Sequence, residues 1–374
     1  MPLSFLVFIL VISNSLFAQK QKLSLKDTLD QKLDCSDYLV HLKGFIPVPM
    51  VISEPALGNF GGALGLLFIS PDKNIKDSTR FHFPNITGIA GFYTLNNSWG
   101  FGGLRQGSLS SIGMRYTAAL FYADINLNFY RDAISHDEQE FEFNLKPIFV
   151  LTDVSKNILK NKFFLGTRYL FSNMKLAYDL THINDSVFNV GDYKQDVGTW
   201  GLYTEFDNRN SIFTPDHGFR VKAIGSVSRS WTGSDFDFEK FELFAHAFFQ
   251  PVKQWIIGLR AETQMMNEGA PFYYYPYLQM RGIPVMRYQG NTTLLFETEH
   301  RVDFTNRWSV VGFAGTGRTF SDSRYLKNDK WHWCGGAGFR YLIARVFKLR
   351  TGIDIAAGPN QFAYYIVFGH YWAR

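Results

Sequence analysis

The sequence has little cysteine, no long apolar run beyond its first residues, and no block of charge of one sign. Two cysteines, Cys35 and Cys334, are too few for a disulfide framework in a chain of 374 residues. After residue 20 there is no run of about 18 apolar residues, which excludes a membrane-spanning helix. The formal net charge of +5 is spread along the chain, so no basic patch for nucleic acid is indicated.

Recognisable catalytic motifs are also missing. The nine histidines show no spacing typical of a metal site, and no G-x-S-x-G nucleophile elbow is present. We therefore predict that the protein is not an enzyme and that it holds no metal and no cofactor. A hydrolase whose site is assembled from residues distant in sequence is the enzymatic alternative.

Aromatic side chains, in contrast, are abundant. They make up 17% of the chain, with 37 Phe, 19 Tyr and 8 Trp. A soluble core needs fewer, whereas a transmembrane β-barrel places girdles of aromatic residues at both membrane interfaces. A soluble all-β protein is the rival interpretation.

Several segments alternate between apolar and polar residues. From Glu140 to Lys146 every odd position is apolar and every even position is polar or charged, and the pattern recurs over 123–129 and 347–357. Because neighbouring residues on a strand point to opposite faces, each such strand has one apolar and one ionic face. Many of the predicted segments are about ten residues or longer, the length that crosses a membrane as a tilted strand. The pattern predicts an all-β fold, a transmembrane antiparallel β-barrel.

Fifteen strands are predicted from this alternation. A bacterial single-chain barrel has an even number of strands, so one strand is missing or one is wrongly assigned. We expect the error in the first half of the chain, at 43–52 or between 176 and 196. Short polar joins at 95–98, 252–254 and 303–306 are expected on the periplasmic side, and longer joins at 177–196, 267–291 and 320–331 outside the cell. The predicted strands are 61–69, 84–95, 97–107, 112–130, 139–152, 162–176, 197–207, 218–230, 237–250, 254–266, 292–303, 307–319, 332–343, 347–357 and 361–371.

The beginning of the chain divides into two short segments. Residues 1–18 contain a short apolar segment from Leu3 to Phe17 and end in the small residue Ala18. They are predicted to be a signal peptide, although Lys and Arg are absent near their start. Residues 19–43 are predicted to be a short periplasmic leader that is a disordered tether, a short helix or a plug of the lumen. Residues 44–374 are predicted to form the barrel.

One motif, DNRNSIFTPDHG, follows a predicted strand and ends at Gly218. Asp207 can accept backbone amides of the turn, with Arg209 beside it, while Pro215 fixes one φ angle and Gly218 permits a tight approach before the next strand. We predict a structural role for this strand-turn motif.

A second motif, LQMRGIPVMRYQG, lies in the long join 267–291 and contains Met280, Arg281, Gly282 and Ile283. The two motifs in this order resemble the carboxy-terminal barrel domain of the outer-membrane protein 85 superfamily, the BamA/TamA-like or bacterial surface antigen barrels. The resemblance is strong over 198–374 and weak over 44–197. It implies sixteen strands, five of them after the long loop, and a loop that folds into the lumen.

The same resemblance implies that Arg281 contacts carboxylate or aromatic groups of the inner wall. Family members carry an aromatic-x-Asp-x-Gly pattern on a following strand, but the matching stretch, which begins at Phe313, has Gly315 at the acidic position. Glu297 and Glu299 share one face of their strand and are the candidate substitutes, because the planar guanidinium suits a carboxylate. An exposed surface arginine is the alternative.

Outer-membrane barrels usually end on an aromatic residue that the assembly machinery recognises. Here the chain continues to Arg374, so Trp372 is expected to take that place. The strands that would meet at the seam contain glycines, which weaken strands. These are Gly61, Gly62 and Gly65 in the first strand and Gly369 in the last.

The resemblance implies a multi-pass protein of the bacterial outer membrane that inserts, assembles or translocates polypeptides. The family's amino-terminal POTRA modules are longer than the leader, so we expect a POTRA-less barrel. Its expected partners are outer-membrane lipids, nascent outer-membrane or exported polypeptides and a periplasmic protein that replaces the POTRA domains, with no nucleic acid. The alternative is a passive pore or a surface-binding scaffold.

Overall fold

The computed structural model describes residues 24–37, 46–52, 60–70, 85–109, 111–132, 138–159, 162–178, 193–321, 330–359 and 361–372. Within these ranges sixteen strands form one antiparallel sheet, in which the strands are ordered as they follow one another along the chain. The strands are β1 (Ile46–Ile52), β2 (Gly61–Ser70), β3 (Asn85–Thr94), β4 (Trp99–Leu109), β5 (Met114–Asp132), β6 (Glu138–Leu159), β7 (Phe163–Tyr178), β8 (Tyr193–Asp207), β9 (Gly218–Ser228), β10 (Phe238–Val252), β11 (Trp255–Met266), β12 (Thr292–Asp303), β13 (Trp308–Phe320), β14 (Trp331–Ala344), β15 (Leu349–Gly358) and β16 (Gln361–Phe368).

The all-β antiparallel architecture predicted from the sequence is confirmed. β1 is the strand that the fifteen predicted ones omit, and it lies at the first of the two suspected places. Its sequence, IPVPMVI, conceals it because Pro47 and Pro49 lack the N–H that a sheet ladder uses. The five strands β12 to β16 follow the long loop.

The two faces of the sheet have opposite characters, and the ionic face is the buried one. On β14 the side chains of His332, Cys334 and Arg340 are buried, whereas Trp333 and Phe339 on the other face are 56% and 43% exposed. A soluble sandwich buries its apolar face instead. The sheet is therefore built to present an apolar outer face to lipid and an ionic inner face to its own interior.

Large aromatic side chains mark both ends of the outer face. Trp255 and Trp308 begin β11 and β13 at one end, and Trp331 begins β14 at the other, where Trp231 lies in a single 3₁₀ turn at Ser230–Thr232. All four are more than one third exposed. This arrangement is the one expected of two interfacial girdles.

Turns of a sequential antiparallel sheet alternate between its two ends. The loop end carries the joins after odd-numbered strands, including the long join 267–291, and the turn end carries the joins 208–217, 304–307 and 345–348. By this order the short join 95–98 lies at the loop end, so the prediction that it shares an end with 252–254 is wrong. A short turn connects any two adjacent antiparallel strands, so its length does not identify the end.

The last strand is shorter than predicted. β16 ends at Phe368 rather than at residue 371, because Gly369 adopts a positive φ of 81° and turns the chain inward. The glycine argument for the first strand also changes, since Gly61, Gly62 and Gly65 lie in β2. In the first strand itself, it is the two prolines that remove backbone donors.

Strand lengths are unequal around the sheet. β1 has seven residues and β16 has eight, whereas β5 has nineteen and β6 twenty-two. Among the described residues no hydrogen-bonded register joins β1 to β16. The boundary between the first and last strands is therefore formed by the two shortest strands, without a ladder.

Part of the predicted leader, residues 24–37, is described and lies against the turns 304–307 and 345–348. The predicted signal peptide, 1–18, falls outside the described residues. In the described part of the chain, no helix has the length and apolar character to cross a membrane.

Candidate functional site

The long join 267–291 folds onto the buried ionic face of the sheet. It forms its own small hairpin, in which the Leu278 N–H donates to the Tyr288 carbonyl over 3.0 Å. The apolar side chains of Leu278, Met280 and Ile283 are 1 to 3% exposed and pack with Leu295 of β12. Apolar burial thus holds the loop in place before any charge is considered.

Arg281 is fully buried at the tip of this loop. Its Nη1 lies 2.8 Å from Asp354 Oδ2 and 2.8 Å from Glu299 Oε2. Its guanidinium carbon lies 3.5 Å from the centre of the Phe313 ring and 4.7 Å from that of Tyr371. Two carboxylates neutralise the charge and two rings cover the guanidinium, which is how an arginine becomes stable in a dry interior.

The structure therefore brings Arg281 together with Glu299 and Phe313, but Glu297 is not its partner. Glu297 stands directly opposite Arg260 in the register of β11 and β12 and forms an ion pair with it. Glu299, two residues further along the same face, stands opposite Phe313 instead. The prediction of Glu297 was wrong because the face of a strand is readable from sequence and the cross-strand partner is not.

Asp354 of β15 is the main carboxylate partner that sequence reasoning missed. It is fully buried and also pairs with both terminal nitrogens of Arg340, one of them at 2.9 Å. The alternation over 347–357 placed Asp354 on the polar face of its strand, and this was the sequence feature that could have marked it as a lumen carboxylate. Gly315 cannot carry the family's acid here, because a Cβ would lie 2.5 Å from Cγ of Glu297.

Gly282 brings the loop backbone into contact with the last two strands. Its N–H donates to the Tyr365 hydroxyl over 2.8 Å, and its carbonyl accepts from Gln361 Nε2 over 3.0 Å. Its φ is +83°, and a Cβ would lie 2.9 Å from the carbonyl carbon of Ala357. Both the backbone conformation and the close approach require glycine at this position.

The strand-turn motif closes the turn end of the sheet. Asp207 and Arg209 form an ion pair of 2.8 Å, and Arg209 Nη1 lies 3.4 Å from His370 Nε2 near the end of the chain. Pro215 is fully buried, and Gly218 has a φ of +104° with Arg209 Cα only 2.7 Å from where a Cβ would stand.

Asp216, between these two residues, extends the motif across the interior. It forms ion pairs with Arg301 of β12 and, over 2.7 Å, with Lys348 of the turn 345–348. Contacts between such distant strands are possible only if the sheet curves around its ionic face. The motif is therefore a brace across the turn end as well as a turn.

No family model and no curated protein matches the chain. Solved structures do match. BamA from Haemophilus ducreyi lacking POTRA domains 1–3 has a TM-score of 0.59 at 12% identity, covering 87% of this chain and 69% of that one. CdiB from Escherichia coli has a TM-score of 0.60 at 10% identity, covering 86% of this chain and 62% of that one. CdiB from Acinetobacter baumannii has a TM-score of 0.58 at 8% identity, covering 87% of this chain and 59% of that one.

The chain has an outer-membrane protein 85-like barrel fold. The resemblance carried by its two motifs is thus confirmed at the level of the fold. The chain spans less than two thirds of either CdiB chain.

The last described residues of the barrel enter the lumen. Trp372 is 2% exposed, its ring centre lies 5.8 Å from that of His246, and its ring lies 2.9 Å from where a Cβ on Gly258 would stand. Trp372 lies beyond the last strand rather than in it, because Gly369 ends β16 and directs the tail inward. The same tail presents Tyr371 to Arg281.

The lumen groups around Arg281 hold the loop against the wall and the tail. Arg281 connects the loop to β12, β13, β15 and the tail, and each connection is a buried contact that water cannot replace while the lumen is filled. Breaking a buried ion pair by removing one partner costs about 3–5 kcal/mol. The arrangement can therefore hold the loop firmly and release it as a unit.

Proposed function

We propose that this chain is an outer-membrane barrel that inserts or translocates polypeptides. The loop carrying Arg281 closes the lumen, and the boundary between β1 and β16 opens toward the membrane. The proposal concerns the class of activity, and the polypeptide substrates are outer-membrane or exported proteins in an unfolded state.

The place where the loop is anchored carries this proposal. Gly282 is bound by Tyr365 and Gln361 of β16, and Arg281 is bound by Asp354 of β15 and covered by Tyr371 just beyond β16. Displacement of the loop therefore removes contacts from the two strands beside the boundary. A substrate that moves the loop would loosen the boundary in the same step.

The boundary itself is suited to opening. β1 and β16 are the shortest strands, and no ladder joins them among the described residues. Pro47 and Pro49 supply no backbone donors to a neighbouring strand. An exposed sheet edge can instead accept a strand of another polypeptide by backbone pairing, the mode known as β-augmentation.

The fold likeness to BamA and CdiB supports the same class of protein. The partners we propose are outer-membrane lipids around the apolar face, unfolded polypeptides at the boundary, and a periplasmic protein that performs the work of POTRA domains. The buried ionic lumen, filled by the loop, the strand-turn motif and the tail, favours this class over an open pore.

The proposal is tested by closing the boundary with a disulfide. In a chain with Cys35→Ser and Cys334→Ser, Pro47→Cys is combined in turn with Tyr364→Cys, Ile366→Cys or Phe368→Cys, and the pair that oxidises is used. The protein is reconstituted in vesicles, and a urea-unfolded outer-membrane barrel polypeptide is added. Its folding is followed by the mobility shift on gels between heated and unheated samples.

We expect the reduced protein to accelerate folding relative to empty vesicles and the oxidised protein to lose that acceleration. The matched control joins Leu165→Cys to Thr204→Cys, which are directly paired across β7 and β8. Its oxidation should change nothing. Equal folding rates with the boundary closed and open would contradict the proposal and favour a passive pore or scaffold.

A further inference from the structure

The leader binds the turn end of the barrel through a buried arginine. Arg307, in the turn before β13, is 1% exposed and contacts three leader carboxylates. Its Nε lies 2.6 Å from Asp30, and its two terminal nitrogens pair with Asp34 and Asp27. Three carboxylates on one guanidinium form a fixed attachment of the leader to the wall.

Further contacts fix the position of the leader along the rim. Arg345 Nε lies 2.6 Å from Asp27, and the Cys35 N–H donates to the Ile343 carbonyl over 2.7 Å. The pKa of the Asp27 carboxyl is lowered to about 2, because Arg345 and the Leu29 N–H donate hydrogen bonds to it. The leader is therefore attached by charge at neutral pH.

The opposite side of the leader has the reverse of the usual surface composition. Leu25, Leu29 and Leu33 are 51%, 75% and 50% exposed, while Asp27 and Asp34 are buried. Lys26 and Lys32 lie among the leucines and are also exposed. The aspartates face the protein, and the leucines and lysines face away from it.

This outward side continues the lipid-facing wall. The Tyr341 hydroxyl donates to the Leu33 carbonyl over 2.9 Å. The Tyr341 ring packs edge-on against Trp308, with ring centres 4.8 Å apart, in the aromatic girdle at the turn end. The leader thus lies at the depth where the barrel wall meets the membrane interface.

We propose that the leucine and lysine face of the leader, formed by Leu25, Lys26, Leu29, Lys32 and Leu33, binds the membrane interface at the turn end of the barrel. The leucines enter the boundary between headgroups and acyl chains, and the lysines contact anionic headgroups. This surface depends on the barrel being in a membrane, and it does not depend on the handling of polypeptides.

The chemistry favours lipid over a protein partner. Exposed apolar side chains beside cationic ones are the composition of interfacial membrane-binding segments. The aromatic residues next to them, Trp308 and Tyr341, are the types that occupy membrane interfaces. The aspartates that would repel anionic lipid are neutralised by Arg307 and Arg345 on the hidden side.

A fluorescent label next to Leu29 tests the proposal. Thr28→Cys places the label on the exposed side of the leader. With Cys35→Ser also introduced, the label reacts only there, because the remaining Cys334 is buried. The labelled full chain is reconstituted in vesicles of phosphatidylethanolamine and phosphatidylglycerol. Quenching is measured with lipids that carry a quencher near the headgroup, with lipids that carry one deep in the acyl chain, and with aqueous iodide.

We expect strong quenching by the shallow lipid, weak quenching by the deep lipid and protection from iodide. Leu25→Ser, Leu29→Ser and Leu33→Ser together should abolish the lipid quenching, while Gln31→Ser, at an exposed polar position of the same segment, should not. Lys26→Gln and Lys32→Gln should each lower the equilibrium constant for binding of the leader to the membrane about fivefold in anionic vesicles. In phosphatidylcholine vesicles the same changes should have little effect.

Two results would overturn the proposal. Full quenching by iodide without lipid quenching would mean that the face meets water. Protection from both iodide and lipid would mean that a protein, such as a second copy of the chain, covers it. Arg307→Ala provides the reference for a detached leader, in which the label should become accessible to iodide.

Discussion

Two buried arginines attach two different segments to the same barrel, and they do so in opposite ways. Arg281 belongs to the segment that is held, and its carboxylate partners, Glu299 and Asp354, belong to the wall. Arg307 belongs to the wall, and its carboxylate partners, Asp27, Asp30 and Asp34, belong to the segment that is held.

The surroundings of the two arginines differ as well. The Arg281 loop also buries Leu278, Met280 and Ile283, and it shares Asp354 with Arg340. The leader buries its charges and leaves its leucines exposed. Release of the loop must therefore expose apolar surface and a wall charge, whereas release of the leader exposes little besides ions.

The largest effect is expected from Asp354→Ala. This change leaves both Arg281 and Arg340 buried without their shared carboxylate, so the free energy of unfolding should fall by about 3–5 kcal/mol. Thermal unfolding in detergent, followed by circular dichroism, measures it. Glu239→Gln is the control and should change stability little, because the Glu239 side chain that pairs with Arg229 is 60% exposed. If the Asp354→Ala protein were as stable as that control, the buried charge around Arg281 would not distinguish the loop attachment from the leader attachment at Arg307.

Gly282→Ala tests the backbone contact rather than the charge. The added Cβ meets β15 at 2.9 Å on a backbone with positive φ, so about 1–3 kcal/mol of strain is expected. Because Arg281 is retained, protease cleavage of the loop should increase while the sheet stays intact. An unchanged cleavage rate would show that the loop does not lie against β15.

Glu299→Gln and Glu297→Gln separate the two candidate partners of Arg281. Glu299 contacts Arg281 and is partly accessible to solvent, so its replacement should weaken the loop by about 1 kcal/mol. Glu297 pairs with Arg260, which also donates to the Gln279 carbonyl of the loop over 3.2 Å. Replacement of Glu297 should therefore lower barrel stability more than it weakens the loop. Glu299→Gln should therefore show the faster loop proteolysis, and Glu297→Gln should show the larger loss of thermal stability. If one variant were the more affected in both assays, the assignment of the two partners would be contradicted.

The smallest effect on the barrel is expected from acid release of the leader. The pKa of Asp27 is lowered to about 2, and those of Asp30 and Asp34 are lowered as well. A lowered folded-state pKa contributes stability above the unfolded pKa, and this contribution is lost as the pH falls through the folded value. Iodide quenching of a label at Thr28→Cys should thus rise between about pH 4 and pH 2. Release above pH 5 would contradict the ionic attachment.

The sequence predicts faces better than partners. Alternation alone places Glu299 and Asp354 on the ionic face, because the two-residue period of a strand is written in the sequence. It does not show that Glu297 faces Arg260, since register depends on how whole strands align. The family pattern points to an acid at Gly315, and only the structure shows that Glu297 fills that space.

Local exceptions account for the remaining errors. Two prolines conceal β1, and one glycine at 369 ends β16 early and turns Trp372 into the lumen. The ionic attachment of the leader was not predicted at all, because Asp27, Asp30 and Asp34 meet Arg307 across more than 270 residues of chain.

Single-channel conductance in planar bilayers tests the central claim most directly. If the loop is locked in the lumen by Arg281, the unaltered protein conducts poorly and Arg281→Ala conducts much more. Arg281→Lys should have an intermediate conductance, because it keeps the charge but loses the planar contact with Phe313. A large, steady conductance that is the same in the unaltered protein and in Arg281→Ala would contradict the lock and identify the barrel as a pore.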